Sequence, residues 1–188
     1  LEEQKKIAAT LSVWDSAIEK MEKLIEAKIV QKKSLTCKLI ENHNEVKFKL
    51  GNVTIDKSKW KQKSLKEMGS FSKGQGIKRD DALSGNIAAV RYGEIYTIHN
   101  DYIKEFQSFI SKDVAKKSKL LKKGDLLFSC SGETKEDIGK CVAFVSDVVA
   151  YAGGDIIIFS PQIECDSKYL GFLLNSRSIS KQKYGLGQ

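Results

Sequence analysis

The chain has 188 residues, 41% of them hydrophobic, and its 29 Lys and 3 Arg against 24 acidic side chains give a formal net charge of +8. That apolar content supports a core and excludes a disordered tail, while no apolar run approaches the ~20 residues of a membrane span and no signal-peptide pattern is present. The cysteines (Cys37, Cys130, Cys141 and Cys165) lie far apart with no Cys-x-x-Cys pair. This predicts free thiols in a reducing cytosol and, with only His43 and His99 beside them, no zinc site.

Leu1-Glu2-Glu3-Gln4 runs straight into a helical pattern, with no initiator Met and no lead-in segment. Ile7, Leu11, Trp14, Ile18, Met21 and Ile25 alternate spacings of four and three, a heptad seam that wants a partner helix. Lys28 and Lys32 occupy the next core positions and mark where the seam frays; Leu35 and Leu39 then resume its phase. A helix over about 3–41 would be roughly 60 Å long at ~1.5 Å per residue, more than a small domain needs for its own core. We assign 1–42 to a coiled-coil-type helix that sets a distance, and its six seam residues to a subunit interface. This segment carries eight Lys and seven acidic groups, so +7 of the net charge lies beyond it. A basic domain beside a nearly neutral helix predicts a polyanion partner for the domain and a protein partner for the helix.

Residues 43–59 read as a polar linker with one short alternating strand, Val46 to Leu50, ended by Gly51-Asn52. A domain over 60–188 opens at Trp60. Ile87 to Val90, Asp125 to Cys130, Lys140 to Val145 and Asp155 to Phe159 have strand composition. One short helix is predicted from Asp113 as its cap. Another is predicted from Asp166, burying Tyr169, Leu170, Phe172, Leu173 and Leu174. Short strands mixed irregularly with helices indicate an α+β fold.

Three segments are candidates for chemistry. In Phe71 to Asp81, Gly74 and Gly76 allow a tight turn that Lys73, Lys78 and Arg79 surround with cations. It is not a phosphate-binding P-loop, because the Gly-Lys-Ser/Thr ending and the following helix are missing. As a groove-entering loop it offers Gln75 to adenine and Arg79 to guanine or phosphate. In Ala89 to Thr97, an extended chain would put Tyr92, Glu94 and Tyr96 on one face and Arg91 on the other, within reach of a base or phosphate. The third, Gly124 to Asp137, resembles the Mg²⁺-binding hairpin of restriction-type nucleases, with Asp125 and Glu133 as metal ligands and Lys135 beside the water. His43 and His99 are isolated, and no Ser-His-Asp or Cys-His arrangement is suggested.

Taken in order, these segments resemble the specificity subunit of type I DNA restriction-modification systems. Leu1-Glu2-Glu3-Gln4-Lys5-Lys6-Ile7 is similar to the family's Leu-x-Glu-Gln-x-x-Ile start of a spacer helix. Trp60 through Met68-Gly69 is similar to its Trp-x-x-x-x-Leu-x-x-hydrophobic-Gly opening of a target recognition domain. Phe71 to Arg79, Arg91-Tyr92-Gly93-Glu94-Ile95-Tyr96, Lys123 to Phe128, Ser131 to Lys140 and Gly153-Gly154-Asp155-Ile156 follow in family order.

The resemblance implies a full subunit with two recognition domains, each reading half of a split target, held apart by two antiparallel helices. This chain would supply one helix and the domain after it, with the first recognition domain absent and the second helix starting past Gln188. Its seam would then pair with another copy, another subunit or a segment outside the chain. Implied partners are double-stranded DNA, the methyltransferase subunits that carry S-adenosylmethionine, the restriction/translocase subunit, and a second copy through the helix, all in the cytoplasm. The chain itself would be a reader, not an enzyme, without cofactor or metal. Within the recognition loops we assign Gln75, Lys78, Arg79, Arg91, Thr134, Lys135 and Tyr184 to base edges, and Lys73 and Lys183 to phosphates. Two alternatives stand beside this reading: a Mg²⁺-dependent nuclease, and a coiled-coil scaffold whose basic domain binds polyanions without sequence preference.

Overall fold

The computed structural model describes residues 1–41, 47–51 and 53–183, and the chain divides into two compact units, Leu1–Asn42 and His43–Gln188. In the first, helix α1 (Glu2–Thr36) runs 35 residues and closes in a π-turn, Cys37–Glu41. Glu2 and Glu3 in the first turn and Lys33 in the last complement the helix dipole. The Thr10, Ser12 and Thr36 hydroxyls donate to carbonyls four residues back. No residue of α1 is buried, and the whole seam from Ile7 to Ile25 stands in solvent.

The second unit opens with a hairpin, β1 (Lys47–Leu50) and β2 (Val53–Asp56), paired from Lys47↔Asp56 to Leu50↔Val53. The sequence predicts only one strand in this linker; Val53 and Ile55 carry the alternation of the second, and Gly51 turns between them at φ 59. After it come α2 (Leu65–Met68), capped reciprocally by Ser64 and Glu67, and β3 (Gly69–Lys73).

Two four-stranded sheets form the body. The first is antiparallel, in the order β3, β10 (Ile156–Pro161), β7 (Leu126–Ser129), β8 (Cys141–Ala143). The second runs β5 (Ser108–Ile110), β4 (Ile87–Val90), β9 (Ala150–Ala152), β6 (Lys119–Leu120), with β4 and β9 parallel. Alternate residues go to opposite faces, as the period of two requires. Val90, Leu127, Val142, Ala152, Ile156 and Ile158 share one core to which both sheets contribute. Leu126, Cys141, Ala143 and Phe159 face the other way, under Leu170 and Leu174 of α5 (Ser167–Leu174). Ala89 and Ile110 pack with Ile77 and with Ala115 of α4 (Lys112–Ala115). Because both faces are covered, these strands read as continuous apolar runs. This is the α+β architecture the sequence predicts, a long helix followed by a mixed domain of short strands.

Local differences have local causes. Residues 92–97 are not extended but form α3 (Tyr92–Thr97), because Glu94 reaches back to Arg91 and the i, i+1 pair Glu94–Ile95 turns into the interior. Ser111, not Asp113, caps α4, accepting from Val114 N at 3.4 Å. Asp166 caps α5 as predicted, accepting from Tyr169 N at 2.6 Å. A last helix, α6 (Arg177–Lys183), was not evident from the pattern. The four cysteines are unpaired, and among the described residues no helix is long and apolar enough to cross a membrane.

Candidate nucleic-acid interface

The loops after β3, β4, β7 and β9 gather at one end of the two sheets. Gly74 N donates to Ile156 O (2.8 Å) and Gln75 N to Ala152 O (3.2 Å), so the chain steps from the first sheet to the second. Gly153 N donates to Val90 O (2.9 Å), and Gly154 N to Gly76 O (3.3 Å). Gly74 must be glycine here, since a β-carbon would lie 1.9 Å from Gly153 O. Ile77 anchors the loop in the core at φ 44, a strained backbone for a β-branched residue. Asp81 then accepts from Lys78 N (2.7 Å) and caps the 3₁₀ turn Arg79–Ala82. The outcome is a backbone fixed by the sheets with Gln75, Lys78 and Arg79 in solvent.

The other cations beside this loop come from a segment the sequence reading passed over. Gly76 sits against the turn between α4 and β6, where a β-carbon would approach Ser118 Oγ and Lys117 O. Lys116, Lys117 and Lys119 around that turn are exposed. Residues 112–123 hold six Lys and one Asp. The signal that could have found them is this charge run; what sequence spacing could not tell is that it folds against Gly76.

Lys73 ends β3, and its Nζ stands 3.9 Å from Asp155 Oδ1. Both side chains are more than half exposed, so the pair contributes little and a phosphate can compete for the lysine. Cys130 N donates to Asp155 O (2.9 Å), which brings the start of the 130–139 loop to the same end. In that loop Thr134 N and Oγ1 both donate to Asp137 Oδ2 (2.9 and 2.8 Å), while Lys135 is exposed. Tyr96 of α3 lies near it; burial, then Tyr92 and the carboxylates of Glu133 and Asp137, raise its hydroxyl pKa. This part of the end is acidic and aromatic, in contrast to the basic surface around Gly76.

Three residues assigned from sequence take other positions. Arg91 Nε donates to Glu94 Oε1 and Ser108 Oγ (both 3.0 Å), and Ser108 Oγ donates to the same carboxylate oxygen. Glu94 is 2% exposed and Ser108 1%, so the Arg91 Nε is tied to a buried charge, while the side chain as a whole stays partly in solvent. Lys183 Nζ donates to Gly139 O (2.6 Å) and Leu174 O (2.7 Å), closing the end of α5 onto the 130–139 loop; burial lowers its pKa. It is a structural tie and not an open phosphate ligand. Asp125, the supposed metal ligand, is 3% exposed and accepts from Lys122 N (2.8 Å) and Ser160 Oγ (2.6 Å). No group of three or more His, Cys, Asp or Glu among the described residues could hold a metal. Tyr184 and His43 lie outside the described residues.

The fold has solved counterparts. A structure of the type I R-M system matches 98% of this chain over 44% of its own chain, at 18% identity and TM-score 0.51. The HsdS subunit from Thermoanaerobacter tengcongensis matches 98% of this chain over 43% of its own, at 16% identity and TM-score 0.51. The type I restriction-modification S subunit from M. genitalium matches 96% over 44%, at 16% identity and TM-score 0.53.

The chain has the fold of a type I restriction-modification S subunit.

It spans less than half the length of the S subunits it matches, and the likeness is one of fold. No protein-family model and no curated protein matches the sequence.

Proposed function

We propose that this chain is a DNA-reading module of a type I restriction-modification system, one half of a specificity subunit that recognises half of a split target. The observation that carries this reading is the gathering of the Gly74–Arg79 loop and the lysines around Ser118 at one end of the sheets. Lys73, Lys116, Lys117 and Lys119 supply phosphate contacts, which hold the domain on any duplex and make affinity fall steeply with salt. Gln75, Lys78 and Arg79, projecting from a rigid backbone, make the choice of sequence, each good bidentate pair worth about 1–3 kcal/mol of discrimination. Thr134 and Lys135 read from the second loop.

The helix serves assembly. Its exposed seam from Ile7 to Ile25 buries against a second copy of α1 or the corresponding helix of a longer subunit. The assembled pair docks methyltransferase subunits and the restriction/translocase subunit in the cytoplasm. The chain reads and holds while those partners do the chemistry. The inward commitment of Asp125 supports this over the nuclease reading.

The test is a selection on randomised duplex DNA at near-physiological salt, with and without a methyltransferase partner. Enrichment of a short motif is expected. Binding without enrichment in both conditions would reduce the protein to a charge-driven scaffold.

A further inference from the structure

The positive charge of the second unit is concentrated in two stretches. One is the 112–123 segment beside the reading loop. The other is 57–66, with five Lys and no acidic residue, at the opposite end of β3. Lys59, Lys61, Lys63 and Lys66 are exposed. The adjoining carboxylate, Glu67, is tied to Ser64 N and Oγ (2.8 and 2.6 Å) and so is occupied by the α2 cap. Trp60, 54% exposed, is braced edge-on against Tyr169 of α5 at 5.4 Å between ring centroids, with Lys57 Nζ 5.7 Å from its ring centroid. The segment is therefore held on the body of the unit and is not a trailing arm.

β3 connects this stretch to the reading loop. It forms one edge of the first sheet, and among the described residues it pairs with β10 alone. Its residues are Gly69, Ser70, Phe71, Ser72 and Lys73, and both serines lie at least partly in solvent. An edge strand leaves a row of backbone groups without ladder partners. Here that row leads from Lys66 on one side to Lys73 and Lys78 on the other. At ~3.3 Å per residue the strand spans about 16 Å. With one phosphate per ~3.4 Å along each strand of a duplex, that is about five base pairs.

We propose that Lys59, Lys61, Lys63 and Lys66 form a second, sequence-independent contact with the DNA backbone, so that the duplex lies along the open edge of β3 and is held about five base pairs beyond the bases being read. This rests on the DNA-reading function above. It adds that affinity and specificity are carried at opposite ends of one strand.

The experiment uses the full chain with Lys59→Gln, Lys61→Gln, Lys63→Gln and Lys66→Gln combined, its fold checked by a thermal melt. Binding is measured by fluorescence anisotropy on the selected duplex and on a random duplex over a range of salt. Both affinities should fall by the same factor, tenfold or more, leaving their ratio unchanged. The slope of log K against log salt should drop by two or more, at ~0.9 per phosphate lost. The protected region should shorten by about five base pairs on one side, and the matching four Lys→Arg changes should restore all three. The pairs Lys59→Gln/Lys61→Gln and Lys63→Gln/Lys66→Gln carry the same prediction at half the slope change if the quadruple variant does not fold. Unchanged affinity and slope would overturn the second contact while leaving the reading loop standing. A changed specificity ratio at unchanged slope would also overturn it, placing these lysines in another role. Failure of the parent chain to bind any duplex would remove both the contact and the reading function.

Discussion

Ser118 occupies the space that a side chain on Gly76 would need. A β-carbon there would stand 2.8 Å from Ser118 Oγ and 3.1 Å from Lys117 O, and Gly76 itself has φ +70. The loop that carries Gln75, Lys78 and Arg79 thus rests directly on the turn that carries the lysines, and each fixes the height of the other. Gly76→Ala adds backbone strain of about 1–2 kcal/mol for a side chain in the left-handed region and forces the two segments apart. We expect a melting temperature a few degrees lower, and a loss of affinity for the selected duplex larger than that for a random one. An equal loss on both would mean that loop height does not govern reading.

Arg91 is predicted to matter for folding before it matters for DNA. Arg91→Ala leaves Glu94, nearly fully buried, with the Ser108 hydroxyl as its side-chain donor. A loss of about 1–3 kcal/mol in urea unfolding follows, kept below the cost for a fully buried pair because Arg91 is itself partly in solvent. Adding Glu94→Gln should recover part of it. A variant of full stability with lost sequence preference would instead return Arg91 to the base readers.

Lys116, Lys117 and Lys119 should behave as phosphate ligands. Changing all three to Gln is expected to weaken binding to every sequence alike and to lower the salt slope by about 0.9 for each contact removed. Arg79→Ala, in contrast, should reduce the preference for the selected duplex by about 1–3 kcal/mol at nearly unchanged slope. The two variants, titrated side by side over salt, separate holding from reading.

Ile18 and Met21 lie in the exposed seam of α1. Ile18→Asp with Met21→Asp should abolish association through the helix, seen as a shift to the monomer mass in sedimentation equilibrium, and should lower the helical signal, because a helix with no packed face gains little from its own propensity. A parent chain that is already monomeric at micromolar concentration would sink the idea of self-pairing and leave a different subunit as the partner.

His99 sets a pH limit on stability. It is 5% exposed, and its Nε2 has no hydrogen-bond partner among the described residues. Burial first, then the charge of Lys140, lowers its pKa, and Glu94 acts in the opposite sense. With the folded value below the unfolded one, the unfolded chain binds the proton more readily, so stability is present above pH ~6.5 and is lost as pH falls through the lowered folded value. Melting temperatures measured from pH 7.5 down to 5 should decline, and His99→Gln should flatten the part of the decline that begins near pH 6.5. An identical decline in the variant would assign it to other groups.

What could be read in the sequence was whatever repeats over a few residues. The seam from Ile7 to Ile25 follows from helical geometry alone, Asp166 caps the residues directly after it, and the core strands announce themselves as apolar runs. The loop around Gly74 and Gly76 was legible for the same reason, since glycines at a tight turn need only their neighbours to be recognised. The fates of Arg91, Lys183 and Asp125 were not. A cation or carboxylate looks the same in sequence whether it faces water or a buried partner; each of these has one partner close in the chain, Glu94, Leu174 and Lys122, and a second 17, 44 and 35 residues away, at Ser108, Gly139 and Ser160. The lysines beside Gly76 were hidden likewise, in a segment about forty residues on. The sequence by itself determined the helix and the class of fold, because those depend on local periodicity. Only the tertiary structure decided which charges stand in solvent and which are tied inward, because that depends on which strands lie side by side.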